Sequence, residues 1–461
     1  MAHVALPPQF DEPPRRGLRR LDAAVGRGQA RVFRVLWFMV PPGSIAWNLH
    51  FQALLASRFL TDVGTQALLF GALIAVARRG GGAVEAALLG TAYLLPGALL
   101  GLYGGAVADA IPKRVALAGA YLGMGVLCLL IPTLFGTDFS AMLLIVFVVR
   151  ALHQVSQPSE ASTVPLVATR EELASATSFL SFTSSAGEVV GKALVAPVVV
   201  RWWGVDPVVV LAGLLFILSS TRVLGLGPVH VPRSRDIDVR ISTGAAVRYL
   251  LGAPGVLWML LLAALASTVG VVLGVLGPLY VSEVLGVEPA NAFYVFAPAP
   301  VGLVAALLAA PAAIAAFGER AVATVGFATT AAATVGLGLV DALTERVRWV
   351  LVLDLPGVGD EVQLAGLLSV FLGLGMTLAG AASQTFLGRN VPLRIQGRTS
   401  ALLGTMKDGL AIPALLAIGA VAGMVGVRAV LTAAPLVLLV LAFGIARLAG
   451  RLRDAPAPQG W

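Results

Sequence analysis

Charge is what this sequence has least of. Only 12% of its 461 residues are charged, whereas 58% are hydrophobic. A soluble chain of this size cannot hide such a balance in one core, so the composition excludes an ordinary globular enzyme and makes lipid the solvent. Cysteine occurs once, as Cys128 in an apolar stretch. An internal disulfide is thereby excluded, and the residue reads as packing. The four histidines are scattered and, with one cysteine, offer no metal-ligand spacing, so no metal or other cofactor is expected. Lysine is almost absent, 3 residues against 29 arginines, a bias typical of GC-rich bacterial coding. The short apolar run 32–40 ends at Pro41-Pro42 without a small-residue cleavage pattern, and no removable signal peptide is expected.

What is abundant is apolar sequence in pieces near the roughly 20 residues that cross a bilayer. Runs at 51–77, 84–108, 114–134, 139–160, 175–201 and 207–228 form one group. Those at 255–281, 290–317, 321–341, 362–387, 399–425 and 428–449 form a second. The expected fold class is an all-α membrane protein with twelve transmembrane helices in two six-helix pseudo-repeat halves. The expected organisation is a basic N-terminal segment 1–44, a first bundle 45–228, a central loop 229–248, a second bundle 249–449 and a tail 450–461.

The formal charge of +8 is dispersed over many loops, which speaks for topology and against nucleic acid. With both termini cytoplasmic, 22 Lys and Arg residues fall on the inner side and 6 on the outer, with four inside spans. That asymmetry is what the positive-inside rule requires. An internal repeat supports the halves. Val164-Pro165-Leu166 and Val391-Pro392-Leu393 each precede a span, and with a five-residue gap Thr177-Ser178, Thr183 and Gly187 align with Thr399-Ser400, Thr405 and Gly409. Span five thus pairs with span eleven, as duplicated halves that rock about a central site would have it.

The stretch Gly105-Ala-Val-Ala-Asp109-Ala-Ile-Pro-Lys113-Arg114 lies between spans two and three. It resembles the signature loop of the major facilitator superfamily. Gly105 permits close helix approach, and Asp109 is placed to cap the next helix or pair with Lys113 or Arg114. Three further stretches resemble the macrolide-efflux and enterobactin-exporter branch, a group of drug:proton antiporters. They are Ser57-Arg-Phe-Leu-Thr-Asp62-Val-Gly64, Gln157 through Pro165 to Ala174, and Gly397-Arg398. The resemblance implies secondary active export of small molecules, in a bacterial cytoplasmic membrane for this chain.

Ionisable residues inside spans are costly and mark substrate paths, proton relays or internal pairs. Arg58 and Asp62 stand at i and i+4 in span one, Arg150 and His153 at i and i+3 in span four, and Glu188 and Lys192 at i and i+4 in span five. Each pair shares a helix face. Lys407 and Asp408 are neighbours in span eleven and point in different directions. Asp62, Glu188 and Asp408 are the proton-coupling candidates. Arg58, Arg150, His153, Lys192 and Lys407 are candidates for substrate contact or charge partnership. Arg150 also resembles the fourth-helix arginine of proton-driven drug exporters. For the Arg58/Asp62 and Glu188/Lys192 pairs, a purely structural salt bridge stands as the alternative.

Other patterns lead away from enzymes. Gly187 to Lys192 has the wrong spacing for a phosphate loop, and no strand precedes it. Gly357-Val-Gly-Asp360 reads as a turn, and Gly97, Gly101 and Gly105 as a packing ladder. The expected function is proton-coupled efflux of small amphipathic molecules by a lipid-embedded monomer. A lipid or lysolipid translocator of the same fold and a non-transporting receptor are the alternatives.

Overall fold

The structure is a computed structural model that describes residues 45, 48–110, 112–135, 138–168, 172–224, 253–347, 359–390 and 393–451. The expected basic segment 1–44, central loop 229–248 and tail from 452 lie outside the described residues, as do residues 169–171 of the Gln157 to Ala174 stretch. The described residues form twelve long helical elements. The first six are α1 (Leu49–Arg78), α2 (Ala83–Ala110), α3 (Lys113–Phe135), α4 (Phe139–Val167), α5 and α6 (Asp206–Leu224). Helix α5 comprises Leu173–Val189, a π-turn Val190–Val195 and Ala196–Trp203. The second six are α7 (Pro254–Glu283), α8 (Ala292–Phe296 and Ala299–Phe317), α9 (Glu319–Gly338), α10 (Asp360–Asn390), α11 (Leu393–Val425) and α12 (Val427–Arg451). Among the described residues eleven helices are long and apolar enough to cross a membrane, and α12 adds the apolar stretch Val427–Val440. The region 342–361, expected as a loop, begins with a short helix Val340–Val347.

Helices suit these runs because, in lipid, every backbone N–H and C=O must be satisfied within its own segment. The buried hydroxyls follow the same logic. Thr61 and Thr65 of α1 return their Oγ1 protons to the carbonyls of Ser57 and Thr61, both at 2.8 Å. Large apolar side chains such as Leu308, Met424 and Val440 stand 78%, 86% and 71% exposed, a surface that only lipid would tolerate.

The packing repeats with a period of six helices. Helix α1 packs on α5 and α6, and α7 packs on α11 and α12. Likewise α2 packs on α4 as α8 does on α10, and α3 on α6 as α9 does on α12. Two tight turns occupy equivalent places. Gly204 between α5 and α6 has φ 89°, and Gly426 between α11 and α12 has φ 86°, a left-handed conformation that glycine adopts without Cβ strain. Close crossings also depend on small residues. A Cβ on Gly302 of α8 would lie 1.8 Å from the Val370 carbonyl oxygen, and one on Gly373 of α10 would lie 2.2 Å from that of Ala299.

The halves meet chiefly along α2 with α11, α1 with α7, and α5 with α8. At the end of the bundle where α1 finishes, Arg78 forms a salt bridge with Glu288 and Arg201 Nη1 donates to Asn291 Oδ1 at 2.6 Å. Both contacts cross between halves. At the opposite end, Arg389 pairs with Glu319 and Arg114 donates to the Leu224 carbonyl, each inside one half. Gly105 and Asp109 fall on the last turns of α2, so the residue before α3 is Pro112 and not Asp109. Lys113 is buried at the start of α3. Arg114 meets the carbonyl end of α6, where a cation is favourably placed.

Candidate functional site

Buried charged residues of α1 and α4 converge inside the first half, with Ser184 of α5 beside them. Arg58 is the hub. Its Nε donates to Asp62 Oδ2 at 2.7 Å and its Nη1 to Glu160 Oε2 at 2.7 Å. Ser184 Oγ of α5 accepts from Arg58 Nη2 at 3.0 Å. Asp62 and Glu160 are 5% and 3% exposed, so one guanidinium serves two carboxylates in a dry setting. Among the described residues, Glu160 Oε1 is buried and finds no hydrogen-bond partner. Helix α1 is brought close enough by glycines of α5: a Cβ on Gly191 would sit 2.5 Å from the Val63 carbonyl oxygen.

Arg150 forms a second hub. Its Nη1 lies 2.9 Å from His153 Nδ1, and its guanidinium carbon is 4.7 Å from the centroid of the Tyr93 ring. Accepting from an arginine, which cannot give up its proton, leaves Nδ1 unprotonated and puts the neutral ring's hydrogen on Nε2. That nitrogen is 3.7 Å from Asp62 Oδ1. His153 therefore stands between the two hubs. Arg150 Nη2 also lies 3.9 Å from Asp408 Oδ2 of α11, a link from the first half to the second.

The expected Arg58/Asp62 and Arg150/His153 pairs are thus formed. Glu188 and Lys192 are not joined in a salt bridge. The π-turn Val190–Val195 begins between them, and the i, i+4 spacing alone does not make the contact. Instead both line a cavity of about 220 Å³ between α1, α5, α7, α8 and α10. Lys407 does not line that cavity, but it lies in the electrostatic reach of Glu188 and Asp408.

Four participants escape a reading of the sequence. Glu160 looks interfacial when span four is ended at 160, yet α4 continues to Val167 and carries it inward. Tyr93 and Ser184 are indistinguishable from ordinary span residues. Gly97 reads as packing, but its bare α-carbon is a notch for Asp408: a Cβ there would stand 1.9 Å from Asp408 Oδ2 and 3.2 Å from Gln154 Nε2.

The notch makes a prediction. Gly97→Ala is expected to destabilise the protein by about 1–3 kcal/mol through overpacking, and adding Asp408→Ala should relieve the clash. A double-mutant cycle on thermal unfolding of the purified protein will then show favourable coupling between the substitutions. Simple additivity would mean that the carboxylate is not held at Gly97.

Residues 54–415 match the Major Facilitator Superfamily profile. No curated protein sequence matches the chain. Among solved structures, the chain is similar to a mutant form of the nucleoside transporter NupG, with a TM-score of 0.70 and 11% identity over 87% of this chain and 100% of that one. It is similar to a bacterial homologue of the human lysosomal transporter Spinster, inward-facing and unoccupied, at TM-score 0.67 and 16% identity, covering 89% and 98% of the two chains. A D-xylose-proton symporter gives TM-score 0.63 at 15% identity, covering 90% and 99%.

Proposed function

The chain belongs to the major facilitator superfamily, a fold and family of membrane transporters, and on that premise we propose that it exports small amphipathic molecules in exchange for protons. The observation that carries the proposal is the Arg58, Asp62 and Glu160 trio. One cation faces two buried carboxylates, so a proton added to either acid makes the trio neutral. Neutral and charged forms differ sharply in what burial costs them. A proton here therefore favours one packing of the helices over another. Through His153 and Arg150 the trio reaches Asp408 on the opposite half, which gives that preference a route to the movement of the halves.

The amphipathic class is drawn from the mid-depth cavity, apolar except for a few polar groups that include Glu188 and Lys192. The efflux direction and the antiporter mechanism rest on the resemblance of the Ser57–Gly64 stretch and its neighbours to exporters. We place the protein in a bacterial cytoplasmic membrane as a monomer, and the 22-to-6 distribution of basic residues supports having both termini inside. In that orientation the Arg78–Glu288 and Arg201–Asn291 contacts between the halves lie outside.

The test is transport by the purified full-length protein in liposomes with an imposed proton gradient, using dyes, drugs and labelled lysolipids as substrates. Gradient-driven flux of a dye or drug, collapsed by a protonophore, is the expected result. Flux of lysolipids alone would transfer the function to lipid translocation, and gradient-independent flux of every compound would reject proton coupling.

A further inference from the structure

The cavity between the halves holds two charges of opposite sign that do not satisfy one another. Glu188 and Lys192 both line it, four residues apart on α5, and among the described residues neither engages a salt bridge. Charged groups at this depth are expensive unless paired or solvated. A π-turn begins between them, and π-turns inside helices recur at functional sites. The remaining wall is largely apolar, with Phe70 of α1 facing Leu273, Phe296, Leu303 and Met376 of the second half. Gly274 on α7 also borders the space, and a Cβ there would meet nothing within 4 Å.

We propose that this cavity binds a compact amphipathic zwitterion, its cationic group on Glu188, its anionic group on Lys192 and its apolar body against the aromatic and aliphatic wall. This deepens the exporter reading and rests on it for the claim that the bound molecule is cargo. A singly charged ligand would leave one protein charge buried beside an apolar group. A neutral ligand would leave both. Only a ligand carrying both signs answers each charge on entry, and each charge-assisted hydrogen bond is worth about tenfold or more in affinity. The volume of about 220 Å³ is below the range of about 300–1,000 Å³ usual for drug-sized ligands. A compact molecule is therefore indicated, and one with a single aromatic system fits the wall.

Three probes sharing one fluorescent body separate the possibilities: naphthylalanine as zwitterion, its amide as cation and its N-acetyl derivative as anion. Their binding to the full-length protein in lipid nanodiscs is measured first, without any gradient. The zwitterion is expected to bind at least about tenfold more tightly than either analogue, as one extra charge-assisted contact implies. Glu188→Gln should abolish the preference over the anion, and Lys192→Gln the preference over the cation. Gly274→Leu keeps both charges while filling the space, and it should weaken all three probes. Equal binding of the three probes by the unsubstituted protein overturns the proposal even if no variant folds. So does a charge preference that Glu188→Gln and Lys192→Gln, correctly folded, leave unmoved. Liposome flux is measured separately: zwitterion binding with the expected charge pattern but no flux of any compound would uphold the site and reject the exporter reading.

Discussion

Replacing Arg58 by methionine is expected to destabilise the protein by about 3–5 kcal/mol, the cost of leaving buried charges without their partner. Here the substitution strands two carboxylates at once. Asp62 and Glu160 each receive a 2.7 Å hydrogen bond from the same guanidinium, and among the described residues Glu160 Oε1 has no further partner. Arg58→Lys should lie between the two, because an ammonium keeps the charge but not the fork that spans two acids. The triple replacement Arg58→Met, Asp62→Asn, Glu160→Gln removes all three charges and should recover most of the lost stability. Thermal unfolding of the purified variants, in one detergent and at one pH, measures each. If Arg58→Met unfolds like the unsubstituted protein, water reaches the trio and the dry setting that the proton argument needs does not exist.

The triple variant separates folding from coupling, and the second large effect follows from it. For one-to-one exchange, a gradient of one pH unit sustains about a tenfold substrate gradient, since both correspond to about 1.4 kcal/mol. Asp62→Asn should abolish that accumulation while leaving counterflow exchange in place, because an amide cannot load or release the proton. The triple variant should behave likewise. Asp408→Asn has a different consequence. It removes the acid at 3.9 Å from Arg150, so accumulation should fall and exchange should slow as well, the contact between halves being weakened. Accumulation at the full gradient-driven level in Asp62→Asn would exclude Asp62 as the proton carrier. Unchanged exchange and accumulation in Asp408→Asn would leave that acid as a spectator lodged against Gly97.

The sequence alone determined the membrane class, the number of spans and the pairing of the halves. Apolar runs of bilayer length, separated by basic clusters, admit few other solutions once the backbone must satisfy itself in lipid. The Arg58/Asp62 and Arg150/His153 pairs were legible for a similar reason: they lie within one regular helix, where spacing fixes the face. The Glu188/Lys192 pair has the same spacing and did not form, because spacing puts two side chains on one face without fixing which neighbours they turn to. Only the tertiary structure decided what joins different helices. Glu160 enters the Arg58 trio because α4 runs past its apolar stretch, and Gly97 receives Asp408 because α11 packs on α2. Such contacts depend on how helices rotate and cross. Those choices are set by ridges, notches and small residues summed over whole interfaces, and no local spacing in the chain records them.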